Sequence, residues 1–207
     1  MKYKSIFYAV GAVAVAVVLL MGCEAFLQMM VGPSFTDSRD GKTYKTVNVG
    51  DKTWMAKNLN FAAEGSKCYK DDPAYCEKYG RLYDWETALK ACPAGFHIPS
   101  DDEWTELKVA VGGSGNKLKS TSGWDQGPGS MGRLTNGTDD YGFSALPGGR
   151  GYDDGSFDGA GDNGHWWSAT ESSERFARRM EMNYYSSTVD MEGKHKTNLL
   201  SVRCVQD

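Results

Sequence analysis

Hydrophobic and polar residues alternate in two parts of the chain, and both patterns predict antiparallel strands. Residues 43–49 alternate polar and apolar side chains, and a Gly-Asp turn separates them from residues 52–56, so we expect a two-stranded ribbon. The last third of the chain has bounded apolar or alternating runs. These runs predict three more strands at 164–170, 176–185 and 198–205, with a turn at 192–194.

Helical spacing predicts two helices between these strands. Apolar residues at positions i, i+3, i+4 and i+7 indicate a first helix from Asp84 to Cys92, and the proline that follows must end it. Ser100 and Glu103 have the spacing of a capping box, which predicts the start of a second helix. Trp104 then lies on the apolar face of that helix, and this face must pack against another element.

Residues 112–164 fit neither the helical nor the strand period. They are rich in Gly, Ser, Asp and Asn, with isolated apolar residues, and predict a long irregular region. A loop region of this length within a compact domain is either functional or unusually well fixed by its contacts. Strands at both ends of the domain and helices between them together predict the α+β class.

The N-terminal residues have the features of an export signal. Two lysines precede an apolar run over residues 6–21. This run ends in Leu-Met-Gly-Cys, which resembles the bacterial lipobox and makes Cys23 the predicted lipidation site. We therefore expect a signal peptide, a lipid-anchored tether and a folded domain at residues 1–22, 23–34 and 35–207. The alternative is an uncleaved signal anchor, because residues 25–31 are also apolar, but Glu24 argues against a spanning helix.

Export changes the interpretation of the four remaining cysteines. An even number of cysteines in an oxidising compartment predicts two disulfides among Cys68, Cys76, Cys92 and Cys204. Of the three connectivities, we favour Cys68 with Cys76 as a local link and Cys92 with Cys204 as a long-range link. A zinc site is the alternative, although the chain has no CxxC pair.

The charge pattern argues against one class of partner. The formal net charge is −4, and acidic and basic residues are interspersed except in one loop. Nucleic-acid-binding proteins usually carry a concentrated basic surface. We therefore do not expect a nucleic acid as the partner of this protein.

Several separated segments, in this order, resemble one known family. They are GKTYKTVNVGDKTWMAKNLNF, CEKYGRLYDWETALKACPAGFHIPSDDEWTEL, YGFSALPGG, HWWSATE and SVRCVQD, and they cover nearly all of residues 35–207. In sequence and order they are similar to the Fibrobacter major paralogous domain. The resemblance implies an exported, often lipid-anchored protein with disulfide-bonded cysteines, in a family whose biochemical role is not established.

A more distant resemblance extends to the C-type lectin-like fold and the formylglycine-generating enzymes. It implies two helices packed on a twisted antiparallel sheet, with a long irregular loop region on one side and neighbouring termini. The oxidase chemistry of that enzyme group uses a pair of C-terminal cysteines. Only Cys204 lies in the corresponding region here, and fold likeness alone does not transmit chemistry. We therefore do not expect an enzyme.

The irregular region and the strand after it supply the candidate ligand-binding residues. Flat aromatic rings can stack on sugars, and acidic or amide side chains can bind their hydroxyl groups. The candidates are Trp124, Tyr152, Asp153, Asp154, Phe157, Asp158, Asp162 and Trp166. The alternative for the tryptophans is a core position, because one side chain of the pair Trp166-Trp167 must point inward in a strand.

Calcium is the one cofactor that the acidic residues suggest. Oxygen-rich loops with Gly hinges suit this cation, and Asp153, Asp154, Asp158 and Asp162 are its candidate ligands, with Asp139 and Asp140 nearby. The alternative is a solvated acidic loop. The calcium-dependent sugar motifs EPN and QPD are absent from the sequence.

These observations together favour a binding or display domain on the bacterial cell envelope, either periplasmic or on the cell surface. Its lipid would attach it to the membrane, and its ligand would be a polysaccharide or another envelope protein. The alternative is a purely structural envelope lipoprotein, and an oxidase comes third.

Overall fold

The computed structural model describes residues 33–124 and 136–207. The predicted signal peptide, Cys23 and nearly all of the tether lie outside the described residues. The described strands are β1 (Ser34–Thr36), β2 (Thr43–Val49), β3 (Lys52–Met55), β4 (Leu82–Tyr83), β5 (Phe96–His97), β6 (Gly148–Gly151), β7 (Phe157–Ala160), β8 (Asn163–Glu171), β9 (Phe176–Asn183), β10 (Asp190–His195), β11 (Leu200–Ser201) and β12 (Val205–Gln206). The α-helices are α1 (Pro73–Tyr79), α2 (Trp85–Ala88) and α3 (Asp101–Ala110). None of these helices is long and apolar enough to cross a membrane.

The strands form two sheets. The first has the order β1-β2-β3-β12-β5, so the first and last described strands lie in the same sheet. The second has the order β10-β9-β8-β11-β4, and the hairpin of β6 and β7 adds to it through β8. Pairing is antiparallel except where β8 meets β6 and β11. The fold is therefore mostly β with three short helices, rather than an even mixture of the two.

The predicted ribbon is present as β2 and β3. Val47 pairs with Trp54 across it, and the turn contains Gly50 at a φ of 62°, a left-handed conformation that Gly adopts without strain. Strands are also present in the two predicted segments that became β8 and β9.

The predicted final strand is broken in two. β11 pairs with β4 and β8 in the second sheet, whereas β12 pairs with β3 and β5 in the first. The chain thus passes from one sheet to the other over residues 202–204, all of which are buried. An apolar run indicates burial but does not show where the hydrogen-bonding partner changes.

Two further expectations from the sequence were wrong. The predicted turn at 192–194 lies inside β10, which pairs with β9 along its whole length. The region 112–164 is not wholly irregular, because its Gly-rich part forms β6 and β7. Pairing with neighbouring strands overrides the weak strand preference of these Gly and charged residues.

The helices agree with the sequence in part. The capping box is present, with Ser100 Oγ accepting from the Glu103 amide at 3.2 Å and the Glu103 carboxylate accepting from the Ser100 amide at 2.8 Å. The predicted first helix is a single turn, α2, although Asp84 caps it as expected. Helix α1 was not predicted, but Asp72 at its N-cap and Pro73 at its first position are ordinary start signals.

Both predicted disulfides are present. Cys68 and Cys76 link the middle of α1 to the chain before it, with their Cα atoms 5.0 Å apart. Cys92 and Cys204 are separated by 112 residues and join the segment after α2 to the end of the last buried run. The chain is therefore closed by a covalent bond between its middle and its C-terminal end.

Large aromatic residues fill the space between the sheets and the helices. Trp104 of α3 is fully buried and its ring lies 5.0 Å from that of Trp54. Trp166 belongs to the same cluster, whereas Trp167 packs in a second cluster with Tyr83 below α2. The adjacent tryptophans of β8 thus point to opposite sides of the sheet, and both are in the core.

Candidate functional site

Two of the sequence candidates meet at the β6–β7 hairpin, where they bind residues of this same chain. Arg150 faces Asp158 across the hairpin, with Nε 2.8 Å from the carboxylate, and the Tyr152 hydroxyl donates to Asp158 at 2.8 Å. Burial alone would raise the pKa of Asp158, but hydrogen bonds from Arg150 and Tyr152 lower it. The cations of Arg150 and Lys194 lie 5.3 and 5.6 Å from the centre of the Tyr152 ring. These groups therefore already satisfy one another.

The other acidic candidates do not form a cation site. Asp153 accepts a hydrogen bond from Thr197, and Asp154 accepts from the amide and hydroxyl of Ser156. Among residues 33–124 and 136–207, no group of three or more His, Cys, Asp or Glu side chains could hold a metal ion. The hypothesis of calcium at Asp153, Asp154, Asp158 and Asp162 thus has no geometric support.

The aromatic candidates are held inside the domain. Trp166 is fully buried and Trp124 is 3% exposed, with their indole N–H groups donating to Asn58 and to the Ala145 carbonyl. Neither ring can stack on a surface ligand, so the prediction was wrong for both. Phe157 is half-buried against Tyr69, at a ring distance of 5.4 Å.

A charged network also lies beneath the hairpin. Arg179 lies in strand β9 and is only 4% exposed, although it is a charged residue. It donates to His165 Nδ1 at 2.7 Å and pairs with Glu181 and Glu192. Burial, together with the nearby Arg179 charge, holds the pKa of His165 well below its ordinary value. The network therefore joins β8, β9 and β10, with His165 and Arg179 buried and Glu192 at the solvent edge.

A concave surface that none of the sequence candidates lines lies elsewhere, beside β2, β3 and α1. Two cavities of about 250 and 400 Å³ adjoin there and share Lys57 and Leu146 in their lining. We name the two together the lysine groove. One end is lined by Tyr44, Asn60 and Tyr79 among others, and the opposite, more apolar end begins at Pro33.

Most of the charged side chains that line the lysine groove are cationic. Lys42, Lys45, Lys57 and Lys78 contribute four positive charges, and Glu77 is the one acidic lining residue among those described. Lys42 is occupied, because its ammonium bonds Asp40 and the Asn60 carbonyl. Lys45, Lys57 and Lys78 are exposed and form no ion pair within the described part of the chain.

The floor of the lysine groove is rigid because buried groups form it. Asn58 is 5% exposed and donates to the Tyr79 carbonyl at 2.8 Å, which ties the segment after β3 to the end of α1. Gly80 lies directly above it at a φ of 79°, and a Cβ there would come within 2.8 Å of both Asn58 Cβ and the Leu59 carbonyl. The disulfide between Cys76, which also lines the groove, and Cys68 fixes α1 further.

Neutral hydrogen-bonding groups accompany these charges. Tyr44 is 4% exposed, and its hydroxyl accepts from the Asn60 amide at 3.0 Å, which leaves the phenol proton to donate. Burial raises the pKa of Tyr44 to about 12, so this group stays a neutral donor. The Lys78 ammonium lies 4.7 Å from the Tyr79 ring centre. The groove thus combines charge, hydroxyl and amide groups around a concave surface.

No local sequence pattern indicates this groove. Its residues come from segments near positions 33, 42–47, 56–60, 76–80 and 142–146, which only the folded topology brings together. Each lysine alone is an ordinary exposed residue. The overall charge does not indicate a cationic surface either, because the net charge of the whole chain is −4.

The fold and the groove define a disulfide-stabilised, mostly β domain with a cationic concave surface. A model of the Fibrobacter succinogenes major domain matches residues 47–206, so the chain belongs to that family. This match covers most of the chain and includes all four described cysteines. No curated protein and no solved structure gave a match.

Proposed function

We propose that this protein is a lipid-anchored, extracytoplasmic binding domain whose ligand is a polysaccharide. The observation that carries the proposal is the lysine groove, a preformed concavity with a rigid floor and several unused hydrogen-bond donors. Binding sites are typically largely preformed clefts with a few convergent polar groups. A chain-like ligand fits best, because two neighbouring cavities share Lys57 and Leu146 in their lining and an extended ligand can occupy both.

The N-terminal sequence supports the anchored location. A charged start, an apolar run and the Leu-Met-Gly-Cys ending favour lipidation at Cys23 and a position in the bacterial cell envelope. Pro33, ten residues later, lines one end of the groove. A ten-residue segment extends at most about 35 Å, so the groove would stay near the membrane.

We further propose a C-type lectin-like architecture. Two observations support this architecture. The fold has neighbouring termini, and β1 and β12 lie in the same sheet here. Helix α3 packs through Trp104 on the core between the sheets. The formylglycine-generating enzymes use a pair of C-terminal cysteines for their oxidase chemistry. Cys204 is the one cysteine of this chain in the corresponding region, and it is bonded to Cys92. This bond favours a binding role over thiol chemistry.

A glycan array with the full-length protein in detergent micelles tests the proposal. We expect polysaccharide binding that EDTA does not change, because the groove uses no metal. Leu146→Trp, placed where the two cavities join, should weaken binding at least tenfold, whereas Tyr152→Ala at the β6–β7 hairpin should not.

The controls separate blocking of the groove from misfolding. Near-UV circular dichroism and urea unfolding should show Leu146→Trp to be folded, and Leu146→Phe should give an intermediate loss of binding. The absence of binding to any glycan would reject the proposal in favour of a structural lipoprotein. Binding lost in Tyr152→Ala but kept in Leu146→Trp would move the site to the hairpin.

A further inference from the structure

We infer that the polysaccharide recognised by the lysine groove is acidic, with carboxylate or sulfate groups along its chain. This inference rests on the proposed function and adds the charge of its ligand. It starts from three ammonium groups, those of Lys45, Lys57 and Lys78, which line the groove without an ion pair to any described residue.

The charge balance of the groove differs from that of the molecule. Folded proteins usually intersperse surface charges of both signs, and the acidic side chains of this chain outnumber the basic ones by 27 to 23. In the groove the ratio is reversed, with four lysines against Glu77. Asp40 neutralises Lys42, but the other three lysines still outweigh Glu77, so the lining keeps a net positive charge. A concave surface concentrates such a potential and attracts anions to it.

The positions of the free lysines favour a chain with several anions over a single small anion. Lys78 follows Glu77 at the Tyr79 end, Lys45 lies at the end near Pro33, and Lys57 lines both cavities. A single phosphate could meet only one part of this arrangement. A polymer with an anionic group on successive units can contact all three lysines at once.

The neutral groups point to a sugar rather than to another anionic polymer. The Tyr44 phenol proton and the side-chain oxygen of Asn60 can bind ring hydroxyl groups beside a charged unit. A membrane surface is flat and would contact protruding groups, whereas Tyr44 and Asn58 lie on a recessed floor. Single-stranded nucleic acid is bound by exposed aromatic stacking platforms, but Tyr44 and Tyr79 are both 4% exposed.

The test compares hexagalacturonate with its fully methyl-esterified form, using the full-length protein in detergent micelles. We expect the acidic form to bind at least tenfold more tightly in 50 mM salt, and its Kd to rise with salt because charges are screened. Lys57→Gln/Lys78→Gln should raise that Kd at least tenfold. Lys57→Arg/Lys78→Arg should raise it less than threefold, and Lys90→Gln, at an exposed position outside the groove, should leave it unchanged.

Each other outcome has a definite meaning. Equal binding of the two forms would overturn the acidic specificity but leave a polysaccharide-binding protein. If neither these sugars nor any glycan on the array binds, the proposed function falls as well. Equally tight, lysine-dependent binding of a length-matched oligothymidylate, or of phosphatidylglycerol vesicles, would overturn the assignment to polysaccharide.

Discussion

At the scale of single residues, one buried amide connects the core with the proposed binding surface. Asn58 Oδ1 accepts from Trp166 at 2.7 Å and from two nitrogens of Arg203 at 2.8 and 3.1 Å. Arg203 is fully buried, and that burial lowers its pKa to about 9. Its remaining donors reach backbone carbonyls such as that of Met55 at 3.0 Å. Neutral oxygen atoms accept the hydrogen bonds of the buried Arg203 guanidinium. Removing one of these oxygens would leave a buried donor without its partner, which costs free energy.

Removing the Asn58 amide should therefore destabilise the domain strongly. We expect Asn58→Leu to lower the free energy of unfolding by about 2 to 5 kcal/mol, because it strands the guanidinium of Arg203 and the indole N–H of Trp166. Urea unfolding measures the loss. Asn60→Leu, at a half-buried position without such partners, is the matched control and should cost less than about 1 kcal/mol. Equal losses in the two variants would contradict this role for Asn58.

Trp104 provides a second test, which asks whether a core residue affects stability without affecting ligand binding. Its ring is fully buried against Trp54, and its N–H donates to the Trp167 carbonyl at 3.2 Å. Trp104→Ala should lower the unfolding free energy by about 3 to 5 kcal/mol. At a temperature where the variant stays folded, its Kd for hexagalacturonate should be unchanged. A changed affinity with unchanged stability would give Trp104 a direct role in binding.

At the scale of elements, the start of α3 is joined to the C-terminal end by a titratable clamp. His97 in β5 lies 2.6 Å from the Asp207 carboxylate and 2.9 Å from that of Glu103. Burial opposes the charged imidazolium, but the hydrogen bonds to Asp207 and Glu103 outweigh it and raise the pKa of His97. Burial likewise opposes the Glu103 carboxylate, but the Ser100 amide, His97 and Lys52 lower its pKa.

The sign of both shifts gives a stability window. The contribution of His97 is complete below its ordinary pKa of 6.5 and is lost as the pH rises through its higher value in the fold. The contribution of Glu103 is complete above its ordinary pKa of 4.5 and is lost as the pH falls. The clamp should therefore stabilise the domain most between about pH 4.5 and 6.5.

Thermal unfolding of His97→Gln tests this window. The Tm difference between the native protein and the variant should be largest near pH 5.5 and shrink by pH 8.5, because only protonated His97 donates to both carboxylates. Buried His165 titrates in the opposite sense but is common to both proteins, so the difference isolates His97. His195→Gln, the same substitution outside the clamp, is the control for the change of side chain itself. A constant Tm difference across pH would refute the clamp.

The two disulfides should differ in their contribution to stability. Cysteines 112 residues apart close a far longer loop than cysteines 8 residues apart. In the chain-entropy model, Cys92→Ala/Cys204→Ala should lower the unfolding free energy by roughly 5 kcal/mol and Cys68→Ala/Cys76→Ala by roughly 2.5 kcal/mol. Urea unfolding of both double variants measures the difference. A larger loss in the short-loop variant would show that its link to α1 carries more than chain entropy.

The sequence predicted those elements that have strong local signals. The capping box at Ser100 fixed the start of α3, and the Gly50-Asp51 turn fixed the ribbon of β2 and β3. Prediction from the sequence failed where tertiary contacts determine which residues form a strand. Gly193 lies inside β10 because β9 pairs along its whole length. The final strand divides because residues 202–204 cross between sheets to bring Cys204 to Cys92.

At the scale of the whole molecule, the proposed binding surface is the part that the sequence could not predict. Aromatic residues of the strand and loops suggested a surface platform, but Trp166 fills the core and Tyr152 is held by Arg150 and Lys194. The groove instead depends on Lys45, Lys57 and Lys78, whose charges are unremarkable until β2, β3 and α1 are brought together. Local patterns report burial and turns, whereas a concave cationic surface is a property of topology.

The most direct test of that surface is a lysine-protection measurement. The full-length protein in micelles is acetylated briefly with and without saturating hexagalacturonate, and mass spectrometry compares the modification of each lysine. We predict at least fivefold protection of Lys57 and Lys78, and none of Lys70 and Lys90, which are exposed outside the groove. Protection of all four to the same degree, or protection of Lys194 beside Tyr152 in place of Lys57, would contradict the assignment of the lysine groove as the binding site.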